Sequence, residues 1–318
     1  MPPNASLWQT EEMKPEIAVL VSSYQRPFHL ERVLASLRCQ RGVEGRFEIV
    51  VTDDGSEDET ADVVEQFARR VSIPVRMTTH AHDGFQLSRC RNEGVVASSA
   101  DYLLFLDGDC LVPPDHLWQH FRLRRPDQVM AGYCCLLDRS TSEQLSVADV
   151  NAGRFVQAAT SEEHKKLKRM DRKARWYEWL RHPTKPKLFG GNVGIWRTDY
   201  ERINGYDENF IGWGCEDDDL RLRLRAAGKR IRSILRWTCT YHLWHPVGET
   251  TPSEWCHGPN VSYLRRRQRN TFCLNGIDKY RDVPSSVVCQ VWNAPEEPQG
   301  RTIGSSVAAV GACGAVAR

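Results

Sequence analysis

The sequence has no apolar run approaching the roughly 20 residues that a membrane span requires. Its first residues, Met1 to Glu12, are polar and lack the apolar core of a signal peptide. These two absences set the expectation of a cytoplasmic protein. Charge of one sign is also missing: 43 Lys and Arg face 41 Asp and Glu, which removes the global case for a nucleic-acid partner. Cysteine is not scarce, at eleven, but the cysteines are scattered with no repeated C-x-x-C pair. Without a secretory signal they read as reduced, small, buried side chains, and the Asn4 and Asn260 sequons read as chance matches.

Residues 16–131 alternate strand and helix patterns. Ile17 to Val21 and Phe47 to Val51 read as strands, and Val75 to Met77 as a short third. Pro27 opens a helix whose Leu30, Val33, Leu34 and Leu37 share a face. Ser56 and Glu59 have the spacing of a capping box before Val63, Val64 and Phe67. Arg91 to Ser98 reads as a helix, and Tyr102 to Leu106 as a buried strand. Such alternation implies an α/β fold, a Rossmann-like mostly parallel sheet with helices on both faces. Ligands of such sheets bind beyond the carboxyl ends of the strands, where Tyr24, Asp54, Asp107 and Asp109 all fall.

Three domain regions follow a polar segment, 1–15: a nucleotide-binding half (16–131), a basic insertion (139–187) and a compact half (188–282). Residues 283–318 are expected to form a disordered tail. Glu162 to Arg175 is rich in Lys and Arg with little apolar periodicity, and meets Trp176-Tyr177-Glu178-Trp179-Leu180. That stretch reads either as a solvated, mobile insertion or as a lid or docking surface touching anionic lipid or glycan.

Asp107-Gly108-Asp109 ends the Tyr102 strand. Residues i and i+2 of an extended segment point the same way, so both carboxylates can face one ligand. Hard oxygen ligands suit Mg²⁺ or Mn²⁺ carrying a diphosphate, and Gly108 would let the backbone approach something bulky. The bland alternative is a solvated turn. Gly212-Trp213-Gly214-Cys215 then leads into Glu216-Asp217-Asp218-Asp219 and a helix bearing Leu220, Leu224 and Ala227, stopped by Gly228. Acids complement a helix N-terminus, and Asp217 to Arg221 has ordinary i,i+4 spacing. Four acids exceed what capping needs, so one is a candidate general base. Trp213 is either a platform for a sugar ring or core packing. His242, after a strand-like Arg236 to Tyr241, could complete a metal site with Asp109, and His245 could compete for that role. Structural zinc on Cys239, His242, His245 and Cys256 or His257 is a weaker alternative.

The chain resembles family 2 glycosyltransferases of the GT-A fold, and looks closest to the branch holding bacterial chondroitin-polymerase transferase domains. The matching pieces are Val21 to Arg26, Thr52 to Ser56, Gly84 to Leu87 with Arg91-Asn92, Leu106 to Asp109, Gly190 to Asn192, Gly212 to Asp217, and Tyr241-His242. The resemblance covers roughly residues 16–275. It implies a metal-dependent, inverting transfer from a UDP-sugar to a hydroxyl of a glycan or lipid-linked acceptor, with Mn²⁺ or Mg²⁺ as cofactor. It implies that Ser22, Tyr24 and Arg26 line the nucleotide pocket, that Asp54 hydrogen-bonds the base, and that Arg91 contacts the diphosphate or the sugar. Asp107 would position the ribose, Asp109 and His242 would bind metal, Asp217 would be the base and Glu216 would orient the acceptor. The basic insertion has no match in the family pattern. A nucleotidyltransferase is the rival enzyme, but the first strand-to-helix turn holds Tyr24-Gln25-Arg26-Pro27 and no Gly-rich Lys/Arg loop. A non-catalytic nucleotide-sugar-binding protein is the other alternative. A nucleic-acid binder built on Arg265 to Arg269 is the poorest.

Overall fold

The computed structural model describes residues 14–246, 251, 254–266, 270–281 and 287–293. Its strands are β1 (Ile17–Ser23), β2 (Phe47–Asp53), β3 (Val75–Thr79), β4 (Tyr102–Asp107), β5 (Cys110–Leu111), β6 (Gln128–Ala131), β7 (Cys134–Leu136), β8 (Asn192–Trp196), β9 (Arg230–Ser233), β10 (Thr240–His242) and β11 (Val288–Trp292). Eight of them form one sheet in the order β11-β3-β2-β1-β4-β8-β6-β9. β3, β2, β1 and β4 run parallel, as do β6 and β9, while β8 opposes both β4 and β6 and β11 opposes β3.

The central strands β1 and β4 are apolar along most of their length because both faces of the sheet are covered there. Successive side chains go to opposite faces. Ile17, Val19 and Val21 join one core with Leu30, Leu34 and Val64 from the helices Pro27–Arg38 and Thr60–Ala68. Ala18 and Leu20 join the other core with Val95, Tyr200, Leu220 and Leu224 from the helices Leu87–Ala97, Arg197–Arg202 and Glu216–Ala226. A second, three-stranded sheet, β5-β10-β7, stands just past the end of β4. Its register pairs His242 with Cys110, which sets the imidazole beside the residue before it, Asp109.

Several local expectations differ from the structure. The Ser56/Glu59 capping box does not form: the Ser56 hydroxyl and amide both donate to Asp53, at 2.6 and 2.9 Å, and Glu59 caps without a side-chain bond. A carboxylate three residues upstream outcompetes the helix end for that serine. The strand expected over Arg236 to Tyr241 is shorter, beginning at Thr240. The basic insertion, read as solvated and mobile or as a lid or docking surface, carries a long helix. Ser161–Trp179 is a 19-residue helix capped by Thr160, and its Leu167, Asp171 and Ala174 are buried. Residues 288–292 belong to no disordered tail; they form the edge strand β11. The tail beyond residue 293, the segment 1–13 and Arg267 to Arg269 lie outside the described residues.

Candidate active site

The carboxyl ends of β1, β2 and β4 deliver the candidate residues to one rim of the sheet. Gly108 allows a contact different from the one expected. Its amide donates to the Ser22 carbonyl at 2.7 Å, and a Cβ there would sit 2.7 Å from that same oxygen. The close neighbour is the end of β1, not a ligand, and it locks the Asp107–Asp109 turn to the neighbouring strand. Ser22 is buried and accepts from Thr52 at 3.1 Å. The Tyr24 ring stacks on His82, with centroids 4.3 Å apart.

Asp54 is also buried. One of its oxygens accepts the Gln86 amide at 3.0 Å, and the other meets His80 Nε2 at 3.0 Å. His80 Nδ1 meets Glu93 at 2.8 Å. With a carboxylate at each ring nitrogen, both must donate, so the ring is an imidazolium. Burial opposes that charge, yet the bonds to Asp54 and Glu93 prevail and push His80 up to about 9. A raised value stabilises the fold fully below the unfolded histidine's pKa, about 6.5, and that stabilisation is lost as pH rises through about 9. The urea midpoint is therefore expected to fall between those limits, and His80→Gln should flatten the fall. An unchanged pH slope in the variant would remove His80 as its source.

Asp109 gathers positive groups. Arg26 donates to its Oδ2 at 2.9 Å, His245 Nε2 lies 3.1 Å from the same oxygen, and His242 Nε2 lies 3.5 Å from Oδ1. Burial alone would raise this carboxyl, but the His245 hydrogen bond and the charges of His242 and Arg26 hold it well below the usual carboxylate range. His245 Nδ1 donates to the Pro246 carbonyl at 2.7 Å, which fixes the ring so that Nε2 faces Asp109. One carboxylate and two imidazoles whose ligand atoms lie within 4.8 Å of one another form a donor set fit for a divalent cation. The structure thus brings His245 into the cluster along with His242. It does not bring in Cys239, a free thiol that hydrogen-bonds the Cys135 thiol, nor Cys256 and His257, which group with Glu254. The zinc arrangement is accordingly not assembled.

Arg91 is fully buried at the centre. One guanidinium nitrogen donates to Asp107 at 3.2 Å and another to Asp217 at 3.0 Å, and the Tyr206 ring lies 4.9 Å away. Gly190 and Gly191 cover it; a Cβ on either would overlap Arg91 or Asp107. Burial raises the Asp107 carboxyl, Arg91 opposes that, and Asp109 and Asp217 add to it.

Asp217 does not form the expected pair with Arg221, whose partner is Asp218 at 2.8 Å. Asp219 instead pairs with the buried Arg223, at 2.7 Å. Asp217 turns inward. Its Oδ1 accepts from Arg91 and the Tyr206 hydroxyl, both at 3.0 Å, and its Oδ2 from the Gly190 amide at 2.7 Å. Left-handed Gly212, Gly214 and Cys215 (φ 79°, 93° and 74°) reverse the chain before this helix. They leave Trp213 38% exposed, so it is not core packing. Glu216 is half-buried, with its Oε2 enclosed and, among the described residues, unpartnered; burial and then the Asp217 charge push it up to about 8. Both effects favour the protonated form, which can donate a hydrogen bond.

Tyr206 and His80 escape a reading of the sequence, and Gly190 enters it as part of the family pattern but not as the donor to Asp217. Asn204-Gly205, both left-handed, signals a turn before Tyr206 but not the partner that the turn delivers.

Comparison with known proteins decides the class. Residues 17–242 match the family described as "Glycosyltransferase like family 2". The chain belongs to that family. This glycosyltransferase is 30% identical over 268 residues to a validoxylamine A glucosyltransferase of Streptomyces hygroscopicus subsp. limoneus, covering 79% of this chain and 54% of that one. It is 26% identical over 270 residues to a chondroitin synthase of Escherichia coli, covering 80% and 38%. The chain thus spans about half the length, or less, of these relatives. Among solved structures, the mannosyltransferase PcManGT of Pyrobaculum calidifontis, in complex with GDP-Man and Mn²⁺, superposes with a TM-score of 0.53 at 15% identity, covering 74% and 59%. TarS 1-349 of S. aureus, in complex with UDP-GlcNAc, gives 0.51 at 16% identity, covering 79% and 64%. The fold of this glycosyltransferase is GT-A. Among the described residues no helix is long and apolar enough to cross a membrane.

Proposed function

We propose that this glycosyltransferase moves a sugar from a UDP-sugar to a hydroxyl of a glycan or lipid-linked acceptor, in one inverting step. The observation that carries the reading is that buried Arg91 joins Asp107 to Asp217, while the Asp109–His242–His245 set lies beside Asp107 at the end of β4. The TarS and PcManGT complexes hold nucleoside diphosphate sugars, which supports that donor class.

In this reading Ser22, Tyr24, Arg26 and Asp54 frame the nucleotide, Asp54 through the Gln86 loop it holds as well as through the base. Asp107 positions the ribose. Asp109, His242 and His245 would hold Mn²⁺ or Mg²⁺, which when bound offsets the charge of the departing diphosphate. Trp213 offers an exposed ring face to the sugar, and protonated Glu216 orients the acceptor by donating a hydrogen bond. Asp217 Oδ2, bonded only by the Gly190 amide, keeps a lone pair for the acceptor proton. As that proton moves to Asp217, the acceptor oxygen bonds the anomeric carbon. The bond from that carbon to the diphosphate breaks, and its electron pair leaves on UDP.

The test is UDP release across a panel of UDP-sugars with Mn²⁺. One donor is expected to turn over, EDTA to abolish turnover and excess Mn²⁺ to restore it. If no UDP-sugar binds with Mn²⁺ present, the donor assignment is wrong.

A further inference from the structure

We propose that the outward face of the helix Ser161–Trp179 is a docking surface for an anionic lipid bilayer. At 100° per residue, Lys165, Lys168, Arg169, Arg172, Lys173 and Arg175 fall on one side of this helix, all exposed. The buried Leu167, Asp171 and Ala174 fall on the other. Among the fully exposed positions of the helix the one acid is Glu162, in its first turn. Glu163 and Glu178 are half-buried and Asp171 is buried. Glu163 accepts from the Leu136 amide at 3.1 Å, and Asp171 accepts from Ser233 at 3.1 Å while pairing with Arg175. A face this one-sided is not a solvated salt-bridge lattice.

Charge alone would suit any polyanion. The tip of the same face selects the bilayer. Trp176, Trp179 and Leu180 are 58%, 77% and 46% exposed and continue the line of cations. Indole rings favour the headgroup level, a leucine beside them gains from acyl contact, and Lys and Arg at their flanks reach the phosphates. None of these residues lines the cleft beside Cys215 and Asp218, whose basic residues are Lys185, Lys187, Arg221 and Arg265. The bilayer contact is independent of which donor the site takes.

The test is sedimentation of the purified chain with vesicles of phosphatidylcholine alone or mixed with phosphatidylglycerol, at low and high salt. Binding is expected only with phosphatidylglycerol and should weaken as salt rises. Lys165→Gln/Lys168→Gln/Arg172→Gln should lower the partition coefficient roughly 100-fold. Trp176→Ala/Trp179→Ala should lower it severalfold, and circular dichroism and donor hydrolysis in solution should be unchanged in both variants. Failure of the wild-type chain to sediment with anionic vesicles at low salt overturns the proposal, as does unchanged binding by the lysine and arginine variant. So does a tryptophan variant that binds vesicles like the wild type, with dextran sulfate displacing both; that would mark a soluble polyanion site instead.

Discussion

Asp217→Asn should lower acceptor-dependent transfer by about 10³-fold, within the range that a positioned general base contributes. The amide is isosteric, so its oxygen can still accept from the Gly190 amide or the Tyr206 hydroxyl. What it loses is the capacity to take a proton. Asp109 and the two histidines form a separate cluster, so donor binding in the presence of Mn²⁺ should change little. UDP release with and without acceptor, beside donor affinity, separates the two effects. A variant keeping transfer within tenfold of wild type would mean that Asp217 is not the base, and Glu216 would then be the next residue to test.

Arg91→Met should be nearly as damaging to activity and far worse for the fold. The guanidinium is fully buried between Asp107 and Asp217, and its removal leaves those carboxylates facing each other under Gly190 and Gly191. Removing one partner of a fully buried pair costs about 3–5 kcal/mol, and because Asp107 and Asp217 keep 39% and 24% of their side-chain exposure the loss here should be nearer about 2 kcal/mol. Asp107, already raised by burial, should rise further and protonate more readily. Arg91→Lys should recover only part of the loss, because a point charge cannot bridge two carboxylates as a planar fork does. Urea unfolding of both variants measures this. A loss under about 1 kcal/mol for Arg91→Met would show that the cluster relaxes or fills with water, and that the arginine is not its keystone.

Much of this molecule was legible before any coordinates. The unbroken apolar runs of β1 and β4, and that of β2 after Glu48, need cover on both faces, so they announced the parallel sheet, and the acids after β2 and β4 announced its ligand rim. β11 was not legible, because an antiparallel edge strand with Val288, Gln290 and Val291 exposed carries little of that signal. The helix Ser161–Trp179 was missed because only a narrow stripe of it packs, leaving too weak an apolar rhythm among its charges. Within the site, residue types pointed to Asp109, His242 and a run of four acids, and the family resemblance singled out Asp217 among the four, but partnership is not written in spacing. Asp217 had a ready arginine four residues on and took one 126 positions away instead. The His80 network was equally hidden, since burial of polar side chains follows no period.

The helix Leu87–Ala97 lies in the first half of the chain but serves the second. Arg91 reaches Asp217, while Asn92 donates to the Tyr206 carbonyl at 2.9 Å and to Glu208 at 2.7 Å and accepts from the Tyr206 amide at 3.0 Å. That arrangement restricts how donor preference could be exchanged by recombination. A crossover placed after β6, where the sequence divides most naturally, would import a foreign set of acceptor-side partners beneath a resident arginine and asparagine. Hybrids that move this helix together with residues 190–217, leaving β1 and β2 behind, would keep the interlocking pieces as one inheritable unit.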